Sequence, residues 1–210
     1  MRADRPAFHF AAAITLAALT PGAAAQAPAS TPAATAASAS PADTWRLDPT
    51  HSFVHFEVLH FGASTLRGRF GPLQGELTLD RAARRGRVQV VVPTAAVSTG
   101  LPVLDARLRE PDMLAAEAHP QAFFIAERFE FDAQGSVSSV RGEFTLRGSS
   151  QPLTLKAQRF RCYTSPLFRR EVCGGDFEGE LLRSSFGITH SLPFVADKVR
   201  LLVQVEAIAP

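Results

Sequence analysis

The segment HSFVHFEVLHFG, residues 51–62, alternates apolar and polar residues and is rich in valine, phenylalanine and histidine. Such alternation is typical of a β-strand with one buried and one solvated face, because successive side chains of a strand point to opposite sides. The segment therefore places three apolar side chains on one face, Val54, Phe56 and Val58. It places a second set on the opposite face, His51, Phe53, His55 and Glu57.

The histidines and the glutamate of this segment raise the question of a metal or catalytic site. On a straight strand, His51 and His55 would stand about 13 Å apart at about 3.3 Å per residue. Zinc ligands lie within about 2.3 Å of the metal, so these two cannot share an ion, and His55 and Glu57 would need ligands from elsewhere. We therefore expect no metal site, and we interpret the polar residues as the outer face of a half-buried strand.

The same one-sided pattern recurs along the chain. In nearly every segment one alternate set of residues is apolar or glycine; the segments are 54–58, 66–70, 73–79, 87–92, 128–131, 140–146, 152–157, 177–181 and 199–205. This pattern predicts an all-β, antiparallel sheet with one buried face, and eight or more such strands form a sandwich or a closed barrel. Glycine inside a strand allows bends and close approach, which favours the barrel; the glycines in question are Gly68, Gly75, Gly142 and Gly179.

Residues 99–120 break the strand pattern. Leu101, Leu104 and Leu108 recur at helical spacing, and Pro111 stands where the first residue of a second short helix is expected. We predict two short helical elements that cover one end of the barrel.

The first 25 residues have the features of a secretory signal peptide. Two arginines precede a short apolar run, and an A-x-A cleavage site follows at 23–25. Residues 26–43 consist almost entirely of Ala, Ser, Thr and Pro, a composition that predicts a disordered linker. We therefore expect a periplasmic protein with one folded domain at 44–210.

Cys162 and Cys173 are the two cysteines of the chain. In an oxidising compartment an isolated pair is most simply a disulfide, and the spacing fits two strands joined by a loop. The net charge is +2, and the basic cluster RAARRGR at 81–87 lacks the interleaved aromatic residues of a nucleic-acid site. We therefore expect no nucleic-acid partner.

Common catalytic and cofactor motifs are absent from the sequence, which has no G-x-S-x-G, H-E-x-x-H, P-loop, G-x-G-x-x-G or C-x-x-C-H segment. We therefore name no catalytic residue and no cofactor. Fourteen of the 16 phenylalanines lie in 44–210, against one tryptophan and one tyrosine, and they fit either a packed core or a pocket for a long apolar chain. The residues alone leave both alternatives open.

The run HSFVHFEVLHFGASTLRGRFGPLQGELTLD, residues 51–80, resembles the opening of the YceI-like family of exported bacterial proteins. The matching positions are His51, Ser52, Phe56, His60, Gly62, Ser64, Gly68, Phe70 and Gly75. Further matches are the helix at 105–112, Pro120 to Phe124, GEFTLRGSSQPLTL at 142–155, Ser185-Phe186-Gly187, and VRLLVQVEAI at 199–208. The resemblance covers residues 44–210. It implies an elongated, lipocalin-like antiparallel barrel, and some members of the family hold a polyisoprenoid or fatty-acyl amphiphile inside it. With the helical segment at 99–120, we therefore expect an eight-stranded barrel with a short helical cap.

The one-sided strands and this resemblance together predict a periplasmic carrier of a long isoprenoid or other amphiphilic lipid. Ten side chains are expected to line the ligand-binding interior: Val54, Phe56, Val58, Phe70, Leu77, Val90, Phe124, Phe144, Phe177 and Leu201. One alternative is an accessory protein of a membrane redox system that handles a quinone-like isoprenoid. The other is a hydrolase that uses the histidines and glutamate of 51–62. The expected partners are the lipid, a membrane redox protein and a second copy of the chain in a homodimer.

Overall fold

The computed structural model describes residues 44–210, which form ten β-strands, one α-helix and two short 3-10 turns. The strands are β1 (Trp45–Leu47), β2 (Phe53–His60), β3 (Ser64–Phe70), β4 (Gln74–Asp80), β5 (Arg85–Pro93), β6 (Gln121–Phe131), β7 (Val137–Leu146), β8 (Ser149–Thr164), β9 (Glu171–Leu182) and β10 (Val195–Ile208). The helix is α1 (Pro102–Arg109), and the 3-10 turns are Thr94–Ala96 and Arg183–Phe186. The predicted signal peptide at 1–25 and linker at 26–43 lie outside the described residues and stay predictions.

The ten strands form a closed antiparallel barrel of eight strand positions. β1 and β2 both pair with β10, while β4 pairs with β1 and β3 pairs with β2. β1 and β2 therefore share the strand position next to β10, and β3 and β4 share the following position. β5 to β9 then follow in sequence order until β9 pairs with β10. The predicted all-β, eight-stranded barrel with a short helix is confirmed.

The inner face of the barrel is built by the alternate residues that the sequence marks as apolar. On β10, Val199, Leu201, Val203 and Ala207 are buried, and the residues between them are more exposed. Buried apolar residues from all eight strand positions contribute to a single apolar cluster. Because each strand presents one apolar face, closure of the sheet on itself is what removes that face from water.

Gly68 on β3 is a point of close approach, as the sequence suggested for glycines on the inner face. A Cβ atom there would collide with the ring of Phe56 and would lie 3.0 Å from the carbonyl oxygen of Ser98. Ser98 forms an isolated bridge with Arg69, with two backbone hydrogen bonds of 2.9 Å. Among the described residues this bridge is the sole ladder contact of β3 on the side away from β2.

The segment 94–120 joins β5 to β6 and contains one α-helix rather than two. Glu110 ends α1 in an extended conformation (ψ 161°), which is the conformation imposed on a residue that precedes proline. Residues 111–119 then form turns, and Ala115 has a positive φ of 48° that a helix does not allow. The prediction of a second helix starting at Pro111 is therefore wrong. Leu101 also lies before α1 and is exposed, so it is not part of the helical face.

Connections alternate between the two ends of the barrel. The end that carries α1, called the α1 end below, also carries 61–63, 147–148 and 183–194. The far end carries the turns at 81–84, 132–136 and 165–170. Among residues 44–210, no helix is long and apolar enough to span a bilayer.

The predicted disulfide is present near the far end. Cys162 of β8 and Cys173 of β9 stand opposite each other in the strand register, and their Sγ atoms are bonded. The bridge closes the hairpin whose loop is 165–170.

The junction between β1 and β2 is held by a buried aspartate. Asp48 Oδ1 accepts hydrogen bonds from Thr50 N (2.9 Å) and Thr50 Oγ1 (2.7 Å), and Asp48 Oδ2 lies 2.7 Å from His51 Nδ1. Burial raises the pKa of Asp48, but the hydrogen bonds from His51 and Thr50 outweigh this and lower it below its ordinary value. The hydrogen bond to Asp48 raises the pKa of His51.

Replacement of both cysteines by serine is expected to lower the free energy of unfolding by about 2–3 kcal/mol, because the cross-link at a sequence separation of 11 restricts the unfolded chain. Urea unfolding with and without reductant measures this. Reductant should lower the stability of the wild type and leave the double serine variant unchanged. Quantitative thiol labelling of the native protein would contradict the prediction.

Asp48→Asn is expected to bring the pKa of His51 down towards its ordinary value, because the carboxylate that favours the imidazolium is lost. Because the pKa of His51 is raised in the folded state, the contribution of the pair to the free energy of unfolding is fully present below about pH 6.5. It is lost as the pH rises through the folded-state pKa of His51. Because the pKa of Asp48 is lowered in the folded state, the stabilisation that comes from its carboxylate is fully present above about pH 3.9 and is lost at lower pH. The stability difference between wild type and variant should therefore be largest between about pH 4 and 6.5.

NMR titration of the His51 ring, with urea unfolding at several pH values, checks this prediction. An identical His51 titration in the wild type and in Asp48→Asn would show that the pair has no electrostatic coupling.

Candidate functional site: an apolar cavity inside the barrel

The barrel encloses a cavity of about 420 Å³ that extends along most of its length. Six residues of β10 border it, Val195, Val199, Leu201, Val203, Val205 and Ala207. Twelve residue steps along a strand cover about 40 Å, and a strand tilt of about 40° reduces this to about 30 Å along the barrel axis. A volume of this size spread over such a length describes a narrow channel rather than a round pocket.

All ten side chains that the sequence placed in the interior border this cavity: Val54, Phe56, Val58, Phe70, Leu77, Val90, Phe124, Phe144, Phe177 and Leu201. They come from eight different strands, so the strand alternation alone brings them together. Two of the ten, Phe56 and Phe70, are in aromatic contact with ring centroids 5.4 Å apart. Phe144 instead packs edge-on against Phe186, a buried residue outside the lining, at a centroid distance of 5.6 Å.

Sequence reasoning did not identify the part of the lining that the segment 94–120 contributes. Val97 and Leu114 are buried and border the cavity, together with Leu104, Leu108 and Met113. A signal was present in Leu104 and Leu108 of α1. Val97 and Leu114 lie in irregular backbone, where no apolar periodicity indicates which side chains point inward.

The polar side chains of the lining lie at the α1 end. They are His60, Thr94, Arg107, Arg183, His190 and Ser191, whereas the far end of the lining is formed by residues such as Leu47, Val137, Phe160 and Ala207. His60, His190 and Ser191 are also exposed to solvent. A side chain that borders both the cavity and the solvent marks an opening, so the mouth of the channel is at the α1 end.

Arg183 shapes the connection between β9 and β10 at this mouth. Its guanidinium is buried and donates hydrogen bonds of 2.8–3.0 Å to four carbonyl oxygens, those of Ile188, His190, Val195 and Ala196. Burial lowers the pKa of Arg183, and the nearby carboxylate of Asp197 opposes that effect. The four acceptors fix the guanidinium, and they also fix the path of 188–196 around the mouth.

An ion pair between Arg107 of α1 and Asp112 lies at the mouth. The Nη1 and Nη2 atoms of Arg107 each lie 2.6 Å from a carboxylate oxygen of Asp112. Hydrogen bonding to Arg107 lowers the pKa of Asp112 to about 2. Asp112 Oδ2 is also 3.3 Å from Nδ1 of His190, which links 94–120 to the β9–β10 connection. The charges of this group are mutually compensated.

The histidines and the glutamate of 51–62 do not converge on one site. His51 is bonded to Asp48, and His60 lies at the mouth. Glu57 points to the outside of the barrel between Arg67 (2.7 Å) and Arg200 (2.9 Å). The hydrogen bond from Arg67 is the largest effect on Glu57, and together with Arg200 it lowers the pKa of this carboxyl group.

Asp48, His51 and Glu206 have potential ligand atoms within 4.8 Å of one another, close enough for one metal ion. His51 Nδ1 and Asp48 Oδ2 already share a hydrogen bond, and Asp48 Oδ1 is occupied by Thr50. Asp48 and His51 are therefore satisfied by each other and by Thr50, while a Glu206 carboxylate oxygen accepts a 3.2 Å hydrogen bond from the Tyr163 hydroxyl. These hydrogen bonds account for the arrangement without a metal ion.

Solved structures share this barrel. BcnA of Burkholderia cenocepacia superposes with a TM-score of 0.62 at 19% identity, covering 76% of this chain and 98% of that chain. A YCEI protein of Campylobacter jejuni gives a TM-score of 0.62 at 21% identity over 72% and 89% of the two chains. A polyisoprenoid binding domain of Saccharophagus degradans gives a TM-score of 0.58 at 16% identity over 79% and 98%. At these identities the likeness establishes the fold.

Relatives found by sequence comparison have higher identity to this chain than these solved structures. A UPF0312 protein of Pseudomonas aeruginosa is 34% identical over 164 residues, which span 75% of this chain and 82% of the relative. Protein YceI of Escherichia coli O157:H7 is 30% identical over 159 residues with the same two coverages. The model of the family described as the YceI-like domain matches residues 45–207, and the chain therefore belongs to the YceI-like family.

Proposed function

We propose that this protein is a periplasmic carrier that holds one long isoprenoid, or a similar amphiphilic lipid, inside its barrel. The observation that carries the proposal is the channel itself: a narrow apolar cavity with its polar side chains collected at one open end. Its volume of about 420 Å³ falls within the range of about 300–1,000 Å³ typical of small-molecule sites.

The shape of the channel favours an extended hydrocarbon chain over a compact ligand. Each buried CH₂ group contributes about 0.8 kcal/mol of favourable transfer free energy, so a chain of several isoprene units gains steadily as it enters. A polar headgroup would remain at the α1 end, beside His60, His190 and Ser191. The lipid therefore has one orientation in which both of its parts are accommodated.

The relatives support the class of ligand. The Saccharophagus degradans domain with the same fold is named for polyisoprenoid binding. The signal peptide predicted at 1–25 supports the periplasmic location.

The two alternative functions, a redox accessory protein and a hydrolase, receive different amounts of support from the structure. A quinone with an isoprenoid tail would fit the same channel, so a role beside a membrane redox system stays a prediction, as does a homodimer. The hydrolase receives less support, because His51 and Glu57 have separate partners and point away from the cavity.

Val54→Phe combined with Val58→Phe is expected to weaken lipid binding at least tenfold, because both side chains border the cavity and the added rings fill it. The overpacking cost should be about 1–3 kcal/mol, which an apolar interior can absorb without unfolding. Titration with a fluorescent polyprenyl probe measures binding, and urea unfolding measures stability.

His55→Ala and Glu57→Ala are the matched controls on the outer face of the same strand. Glu57 makes ion pairs with partially exposed arginines, and such pairs are worth about 0–1 kcal/mol, so both variants should bind the probe within twofold of the wild type. Loss of binding in these controls, with binding retained in the cavity-filled variant, would refute the carrier.

A further inference from the structure

The α1 end of the barrel carries a cluster of exposed apolar side chains. Phe61, at the tip of the β2–β3 hairpin, is 62% exposed, and Phe194, just before β10, is 59% exposed. Their rings stack with centroids 5.3 Å apart, and Phe61 N donates a 2.7 Å hydrogen bond to the carbonyl of Phe194. Two large aromatic side chains are thus held together while they project into solvent.

Other exposed apolar residues lie at the same end. Leu101, just before α1, is 62% exposed, Val103 in the first turn of α1 is 86% exposed, and Leu59 is 47% exposed. We call Leu59, Phe61, Leu101, Val103 and Phe194 the apolar rim. It adjoins the mouth directly, because His60 and Leu104, neighbours of rim residues in sequence, both border the cavity.

The apolar rim is held in place before any partner arrives. The hydrogen bond between Phe61 and Phe194 joins the hairpin tip to the β9–β10 connection. The contact between His190 and Asp112 joins that connection to 94–120, and Arg147 donates to the carbonyl of Met113, which adds the β7–β8 turn. The loops around the mouth are therefore linked in series, which reduces the ordering that the apolar surface needs when it docks.

Charges of both signs are present near this end, and several of them form ion pairs. Arg107 contacts Asp112 and Glu110, Arg67 contacts Glu57, and Lys198 contacts Glu180 at 2.9 Å. A surface that relied on attraction to an anionic partner would display unbalanced positive charge. The rim is therefore suited to insertion into an apolar medium rather than to binding of a charged surface.

We propose that the apolar rim docks on the surface of a lipid bilayer, so that the mouth opens directly into the lipid phase. This inference rests on the proposed function: a lipid that moves between a bilayer and the channel must otherwise cross water with its chain exposed. Aromatic side chains are suited to the membrane interface, where the ring meets lipid and the backbone stays wet. A second copy of the chain on the rim would instead close both mouths, which a carrier in exchange with a membrane cannot use.

Vesicle sedimentation tests the docking surface. The full-length mature protein is mixed with vesicles of phosphatidylethanolamine and phosphatidylglycerol at a ratio of 3:1, in 0.1 M and 0.5 M NaCl. The wild type should partition to the vesicles to an extent that changes less than twofold with salt. Phe61→Asn combined with Phe194→Asn should reduce partitioning about tenfold, since two large apolar side chains are lost. Asparagine is chosen because Phe61 has a positive φ of 51°, which asparagine tolerates.

The far end supplies a matched control. Leu167 and Phe168, in the loop between β8 and β9, are 80% and 41% exposed, so Leu167→Asn combined with Phe168→Asn removes a comparable apolar pair. This variant should partition like the wild type. If it loses partitioning while the rim variant keeps it, the far end docks and the proposal is overturned.

Brominated lipids test the orientation. Trp45 is the single tryptophan of the chain and lies in β1, which starts at the far end. Its fluorescence should be unaffected by brominated lipid, whereas a second tryptophan introduced as Phe61→Trp should be strongly quenched. If brominated lipid quenches the wild type and the Phe61→Trp variant to the same extent, or quenches neither of them, the proposal is overturned.

Failure of the docking proposal and failure of the carrier function give different results. If the wild type does not bind a fluorescent polyprenyl probe in vesicle-free buffer, the carrier function fails. The rim variant is Phe61→Asn combined with Phe194→Asn. If this variant and the wild type bind the probe with the same affinity and also transfer it to vesicles at the same rate, the docking proposal alone fails. Concentration-dependent dimerisation that the rim variant abolishes, without vesicle binding by the wild type, would assign the rim to a second copy and also overturn the proposal.

Discussion

The structure depends on the closure of the sheet by its last strand. β10 pairs with β9 along eleven register positions, from Lys198 to Ile208, and its other edge pairs with β2 and then with β1. Without that second edge the barrel would open into a sheet with two free edges and one exposed apolar face, which is a template for aggregation. The positions of the inner side chains on the strands follow from this closure, because the register fixes which alternate residues face the axis.

The same closure produces the cavity. An antiparallel sheet with one apolar face can bury it against a second sheet or helix, or against itself. In this chain the strands close around a space that their own side chains do not fill, even though phenylalanines such as Phe56, Phe124 and Phe177 point into it. Polar groups enter the lining where the loops of the α1 end meet, and there Arg183 satisfies its donors with backbone carbonyls. An apolar interior with one polar opening is thus a property of the topology as much as of individual residues.

Much of this architecture could be predicted from the sequence because strand alternation is a local signal. The residues at 140–146 and 199–205 indicate the inner face without any tertiary information, and the ten candidate lining residues all border the cavity. The resemblance supplied the closure into eight strand positions. Irregular segments could not be predicted in this way. The three-residue strand β1 is too short to show alternation. A second helix was expected at Pro111 because no sequence pattern indicates the extended conformation of Glu110 or the left-handed conformation of Ala115, which together prevent a helix there. The Asp48–His51 hydrogen bond likewise depends on the geometry of the break between β1 and β2.

The single bridge between Arg69 and Ser98 has a consequence for how the family can vary. Segment 94–120 is connected to β3 by one pair of backbone hydrogen bonds, while the eight strand positions are held by long ladders. Insertions, deletions or changes of side-chain size in this segment would therefore alter the width of the mouth and the volume near Val97 and Leu114 without breaking a strand pairing. For the proposed carrier, ligand selectivity would then diverge by changes in one loop, while the strand pairing of the barrel stays the same.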